Sequence, residues 1–317
     1  MIFLIKNSRL IFLNITVIFL LLSCQEGEES IIPVPIPETE IETETETETE
    51  TETETETETE TETEVLSEIL LNATGEGQTY ELINSVFAPG YNVVEAPDCS
   101  HESFGRHIDE IFDADLNKNV FQFYIHTTPD NDRCVKFDRQ RNEIKSYDKS
   151  PDNLKGVKNE KVVYSWKFKL GSNFKSSSSF THIHQIKAVG GSEDSMPLIT
   201  LTTRKGSPDN LELRYAETNS QITLKKTDLS PFKGQWVEVV ETVIYGEKES
   251  GSYNIELKDF KTNALLFNYS NDNIRMWKTD ADFMRPKWGI YRSLNDSNSL
   301  QDEQVLFADF SVKELKL

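Results

Sequence analysis

The chain has 317 residues, with 54 Asp or Glu against 33 Lys or Arg and a formal net charge of -21. That balance argues against a nucleic-acid-binding protein, because a polyanion needs a basic face. The acid is concentrated, however: residues 26–64 hold 17 Glu and no Lys or Arg, residues 1–25 hold Lys6 and Arg9, and residues 65–317 keep a charge of -6. The remaining roughly 250 residues can build one large core and still carry a local basic cleft.

Residues 1–23 read as a signal peptide. Lys6 and Arg9 give a basic start, and Ile11 to Leu22 an apolar run too short to favour a spanning helix. The run ends in Leu21-Leu22-Ser23-Cys24, which resembles the lipobox of bacterial lipoproteins, where the Cys is lipidated and becomes the first mature residue. The acidic Gln25-Glu26-Gly27-Glu28-Glu29 that follows resembles the surface-export signal of Bacteroidetes-type lipoproteins. The resemblance implies an outer-membrane lipoprotein exposed at the cell surface and held by a lipid on Cys24. Pro33, Pro35 and Pro37 then lead into a strict Thr-Glu repeat that runs to Glu64. A carboxylate at every second position forbids a paired strand, so residues 24–77 are expected to form an extended, self-repelling spacer.

The folded domain is expected over residues 78–317. Short segments rich in Val, Ile, Phe, Tyr and Thr alternate there with Gly, Asn, Asp and Ser loops. Candidate strands are Val120–Thr127, Val135–Tyr147, Val162–Leu170, Phe180–Ala188, Leu198–Thr203, Leu211–Tyr215, Ile222–Lys225, Trp236–Tyr245, Tyr253–Leu257, Leu265–Tyr269, Trp288–Arg292 and Val305–Val312. Helical periodicity is limited to His107–Phe112 and Asn273–Trp277. Many short strands at regular spacing predict an all-β jelly-roll sandwich. Cys99 and Cys134 are left as either a disulfide, which an oxidising compartment permits, or two buried thiols.

Three strand segments carry reactive groups at period two. In Arg139-Gln140-Arg141-Asn142-Glu143-Ile144-Lys145 the two Arg, Glu143 and Lys145 share a face. In Thr181-His182-Ile183-His184-Gln185-Ile186-Lys187, alternation puts Gln185 and Lys187 on one face and His182 and His184 on the other. In Lys287-Trp288-Gly289-Ile290-Tyr291-Arg292, Lys287 and Tyr291 flank Gly289, which clears space between them. These segments resemble, in order, the signature strands of the jelly-roll (concanavalin A-like) polysaccharide lyases, a group that includes the alginate lyase 2 superfamily and relatives that cut glucuronan, ulvan or heparin. Arg141-Asn142-Glu143-Ile144 is similar to an Arg-x-Glu-Leu strand, Gln185-Ile186-Lys187 to Gln-Ile-His, and Lys287-Trp288-Gly289-Ile290-Tyr291 to Lys-Ala-Gly-Val-Tyr. The resemblance covers roughly Asn119 to Leu315. Its Gly-Ile-Tyr-Arg ending is nearer the glucuronan and heparin enzymes than the alginate enzymes.

The resemblance implies β-elimination on a uronate-containing polysaccharide, with no cofactor. Arg141 and Gln185 would pair with the uronate carboxylate and stabilise the enolate-like intermediate. Tyr291 would protonate the departing glycosidic oxygen, aided by cationic Lys287 or Arg292. Lys187 stands where the alginate enzymes have their His, so the base is left among His184, His126, Lys187 and Tyr291. Arg139, Glu143, Lys145, Lys187, Lys287, Arg292 and His126 would serve substrate binding.

A zinc site on His182 and His184 needs a third ligand, and only His101, His107 and His126 remain. No metal-ligand spacing motif is present, so no metal is assigned, and a structural Ca²⁺ is left open. The expected partner is an anionic polysaccharide, with no nucleic acid, and the chain is expected to be a monomer. The rival reading is a non-catalytic carbohydrate-binding lipoprotein, which would expose aromatic platforms such as Trp side chains.

Overall fold

The computed structural model describes residues 64–317. The expected signal peptide, Cys24 and the Thr-Glu tract up to residue 63 lie outside the described residues. Fifteen strands run through them. They are β1 (Val65–Leu71), β2 (Val94–Glu95), β3 (Ile108–Asp113), β4 (Lys118–Ile125), β5 (Arg139–Lys145), β6 (Lys161–Leu170), β7 (Thr181–Val189) and β8 (Ile199–Arg204). The series continues with β9 (Asn210–Tyr215), β10 (Ile222–Asp228), β11 (Trp236–Ile244), β12 (Ser252–Asp259), β13 (Leu265–Asn271), β14 (Phe283–Ser293) and β15 (Glu303–Leu315). One helix, α1, spans Thr79–Phe87.

Two antiparallel sheets form the jelly-roll sandwich. One has the order β13-β12-β11-β6-β15-β4-β3, with β1 added against β15; the other has the order β10-β9-β8-β7-β14-β5-β2. The cause is legible in β6, where burial alternates without a break and Val162, Tyr164, Trp166, Phe168 and Leu170 all point inward. Trp166 meets Trp288 of the facing sheet at 5.9 Å between ring centroids. Each such fully buried large apolar side chain contributes about 1.5–3 kcal/mol.

All twelve expected strands are present, with ends shifted by a few residues. Elsewhere the elements differ from expectation. His107–Phe112 is not helical: Ile108 to Asp113 pair along β4, and the sheet ladder overrides a weak helical pattern. Asn273–Trp277 is irregular. Two further elements were not expected: α1, whose buried Thr79, Ile83 and Phe87 recur every four residues, and β1, which lies within the expected spacer 24–77 yet pairs with β15.

Candidate active site

Strands β5, β14 and β7 lie side by side with β14 in the middle. Their register sets Tyr291 opposite Arg141 on one side and opposite His182 on the other, and Lys287 opposite Lys145 and Gln185. Alternation then carries Arg139, Arg141, Gln185, Lys187 and Tyr291 to the outer face. There they line a cavity of about 380 Å³ together with Lys136, His182 and Arg204. Three remote pieces of chain thus supply one cationic cleft.

Tyr291 sits at its centre. Arg139 Nη1 donates to the phenol oxygen at 2.9 Å, and the Arg141 guanidinium carbon lies 3.7 Å from the ring centroid. The expected cationic neighbours, Lys287 and Arg292, do not fill this place. Arg292 is one residue out of phase, so it is wholly buried between the sheets, where it donates to Gln140 Oε1 and the Gln301 carbonyl. From there its guanidinium does not line the cleft.

His182 is on the cleft face, contrary to strict alternation. The register of β7 against both β8 and β14 shifts just after His182. A bulge of this kind places an extra residue and re-aims the side chains on one side of it. His182 therefore joins Gln185 and Lys187, while His184 turns into the core. The His182 ring stacks on Phe180 at 4.8 Å, lies 5.8 Å from the Tyr291 ring, and engages Thr202 Oγ1 through Nδ1 at 2.8 Å. Burial, reinforced by Arg141, Arg214 and Arg204 against the opposing pull of Glu143, pushes its pKa down to about 3. It is therefore neutral at ordinary pH. If Nδ1 carries the proton and donates to Thr202, Nε2 keeps a free lone pair.

His184 is excluded from the cleft. It is fully buried against Trp166 at 4.4 Å, with Nε2 2.9 Å from Glu241 Oε2 of the other sheet. His126 is also elsewhere. It follows β4 and gathers with His101 and His107 around Asp130. Neither is in place to act as base or to bind substrate in this cleft.

Beneath the cleft lies a network that the sequence reading did not foresee. Glu95 of the two-residue strand β2 accepts from Lys287 at 2.6 Å, Lys145 at 2.7 Å and Arg133 at 2.6 Å. Glu143, wholly buried, accepts from Arg141 and from Gln185 Nε2, and Lys287 Nζ lies 2.8 Å from it. Asp132 accepts from Arg141 Nε at 2.9 Å. Burial alone would raise both Glu carboxyls. The surrounding cations, Lys287 and Arg141 foremost, outweigh it and hold them below the ordinary carboxylate range. Lys145 and Lys287 are thus paired with Glu95, and Lys287 with Glu143, below the cleft, and Arg141 is held under the Tyr291 ring by Asp132 and Glu143.

Lys187 is different: among the described residues its side chain makes no hydrogen bond or ion pair. Burial, with Lys287 and Arg285 nearby, brings its pKa down to about 8. Gly289 also has a reason other than side-chain clearance. Its φ is +144°, and a Cβ there would meet the Asn142 carbonyl oxygen at 2.1 Å, so only glycine lets β14 and β5 approach at the cleft floor.

Cys99 and Cys134 are joined in a disulfide. All four Trp side chains are buried, which leaves none as a glycan-binding platform.

Residues 119–311, more than half of the chain, match a family model described as polysaccharide lyase. Among solved structures, an endo-β-1,4-glucuronan lyase from the fungus Trichoderma reesei is 15% identical, with 65% of this chain and 86% of that one covered and a TM-score of 0.48. A PL-14 alginate lyase from Aplysia kurodai is 12% identical, with 78% of this chain and 98% of that one covered and a TM-score of 0.52. The latter likeness is one of fold and agrees with the jelly-roll sandwich. No curated protein matches significantly.

Proposed function

The chain belongs to the polysaccharide lyase family and is a polysaccharide lyase; from that premise we propose that it cleaves a uronic-acid-containing polysaccharide by β-elimination, with glucuronan- or ulvan-type chains preferred and alginate second. The observation that carries this reading is the convergence of Tyr291, His182, Gln185, Arg139 and Lys187 on one cavity. The order of substrates rests on the Gly289-Ile290-Tyr291-Arg292 ending.

A uronate carboxylate enters against Lys187, Arg139 and the remaining amide hydrogen of Gln185. These groups offset its charge and, after proton removal, the charge of the enolate-like intermediate. The neutral His182 takes the proton from the carbon bearing the carboxylate. The negative charge of the bound sugar raises the affinity of His182 for that proton. The electron pair left behind forms a carbon–carbon double bond as the bond to the glycosidic oxygen breaks. Tyr291 donates its proton to that oxygen. Because Arg139 can only donate to the phenol oxygen, the Tyr291 O–H is left free to point into the cleft. Arg141 positions the ring and does not clamp the carboxylate. The same reading keeps the enzyme at the cell surface, tethered by a lipid on Cys24.

The test is direct. The purified full chain is incubated with glucuronan, ulvan, alginate and heparin, and ultraviolet absorbance of the unsaturated uronate is followed. Absorbance rising fastest on glucuronan or ulvan supports the proposal. No absorbance on any uronate polymer, with the chain retained on a glycan column, overturns it.

A further inference from the structure

The three histidines outside the cleft strands lie together. His101 Nδ1 is 2.9 Å from Asp130 Oδ1, His107 Nε2 is 3.2 Å from the same oxygen, and His126 Nδ1 is 3.1 Å from Asp130 Oδ2. All four donor atoms lie within 4.8 Å of one another. We propose that His101, His107, His126 and Asp130 bind one Zn²⁺, and that this ion fixes the loop that walls the cleft.

The donor set fits. Zinc takes four His or carboxylate ligands tetrahedrally at about 2.0–2.1 Å, which places neighbouring donors about 3.4 Å apart. The observed spacings bracket that value. Three imidazole nitrogens favour a borderline-soft ion over Mg²⁺ or Ca²⁺, which prefer oxygen.

An independent observation concerns His107. Its Nδ1 lies 2.8 Å from Asp98 Oδ1, and Asp98 in turn accepts from the Tyr80 hydroxyl at 3.0 Å. A carboxylate cannot donate, so Nδ1 carries a proton, and Nε2 is the nitrogen that faces the buried Asp130 carboxylate. A carboxylate holding the far nitrogen of a histidine is the usual outer support of a zinc ligand. His107 and Asp130 are buried, and Phe104 packs over the His126 and His107 rings at 4.3 and 4.8 Å.

Four protein donors fill a tetrahedron and leave no position for substrate, so the ion is structural. Its position gives it a task. Asp130 is followed by Asn131 and Asp132, and Asp132 holds Arg141 beneath Tyr291. The Cys99–Cys134 disulfide ties the segment before His101 to the same loop.

The full chain, produced without a polyhistidine tag, is stripped with chelator, re-equilibrated with Zn²⁺, desalted and analysed for metals by mass spectrometry. About one Zn²⁺ per chain is expected, with a Tm that falls by several degrees on chelation and recovers with Zn²⁺ but not Ca²⁺. The His107→Ala variant and the His101→Ala/His126→Ala variant should lose the ion, and His182→Ala should keep it. Should those variants fail to fold, Co²⁺ loaded into the wild-type chain should give the visible absorption of a tetrahedral site. A wild-type chain that retains no Zn²⁺ and shows no tetrahedral Co²⁺ spectrum overturns the proposal, as does Zn²⁺ retained in the folded double variant. Neither result bears on the lyase assay, so the two proposals fail separately.

Discussion

Arg139 Nη1 donates a 2.9 Å hydrogen bond to the phenol oxygen of Tyr291 across the β5–β14 ladder. The bond fixes the ring from one side and commits the phenol proton to the cleft.

Tyr291→Phe removes only that hydroxyl. The expected result is a loss in kcat of about 10²–10⁴ with KM little changed, since the proton is needed in the transition state and not for binding. A turnover rate near wild type would take Tyr291 out of the reaction.

Arg139→Gln keeps a polar chain but loses the forked cation. A hydrogen bond to a charged group contributes about 1.5–3 kcal/mol, so kcat/KM should fall roughly 10- to 100-fold. A lysine in its place should restore only part of this, because it lacks the planar fork that reaches both Asp138 and Tyr291.

His182 makes two separable predictions. His182→Gln should reduce kcat by at least about 10² if the ring is the base. Its pKa is also pushed down to about 3 on folding, against about 6.5 in an unfolded chain. Between those values the unfolded chain takes up a proton that the folded one refuses. The stability linked to this group is therefore complete above about pH 6.5 and declines as pH falls toward 3. Urea midpoints measured from pH 7 to 4 should decline less steeply in His182→Gln than in wild type.

Lys187, with its pKa brought down to about 8, is a cation at pH 7 and mostly neutral at pH 9. KM for the anionic polymer should rise over that interval. In Lys187→Arg the rise should vanish, because a guanidinium stays charged. Identical KM profiles for the two proteins would remove Lys187 from substrate binding.

Glu95→Gln leaves Lys287, Lys145 and Arg133 without their shared carboxylate. Breaking a buried pair by removing one partner costs about 3–5 kcal/mol, which equilibrium urea unfolding would register. Lys287→Met in the same chain should recover part of the loss.

The twelve strands from β4 to β15 other than β5's early start were readable because one face of each is apolar and one polar, and Tyr164 to Leu170 shows the pattern at its clearest. The convergence of Arg141, Gln185 and Tyr291 was readable for the same reason: period two fixes the face once the strand is known. What defeated the reading was departure from that period. A bulge beside His182 is invisible in Thr181-His182-Ile183-His184, so the wrong histidine was sent to the cleft. Arg292 was credited to the site although it sits one position out of phase with Tyr291. Glu95 was missed because a strand of two residues, Val94–Glu95, has no period to detect. The cluster around Asp130 escaped because its ligands come from separate segments with no fixed spacing between them.

The carboxylates under the cleft have a consequence for how the polymer arrives. Glu95, Glu143 and Asp132 nearly cancel Arg133, Arg141, Lys145 and Lys287, so the floor projects little field into solution. Capture then depends on a sparse rim of Lys136, Arg139, Lys187 and Arg204, felt only at close range. An encounter governed by so few exposed charges tolerates seawater-like ionic strength far better than one steered by a broad basic surface would.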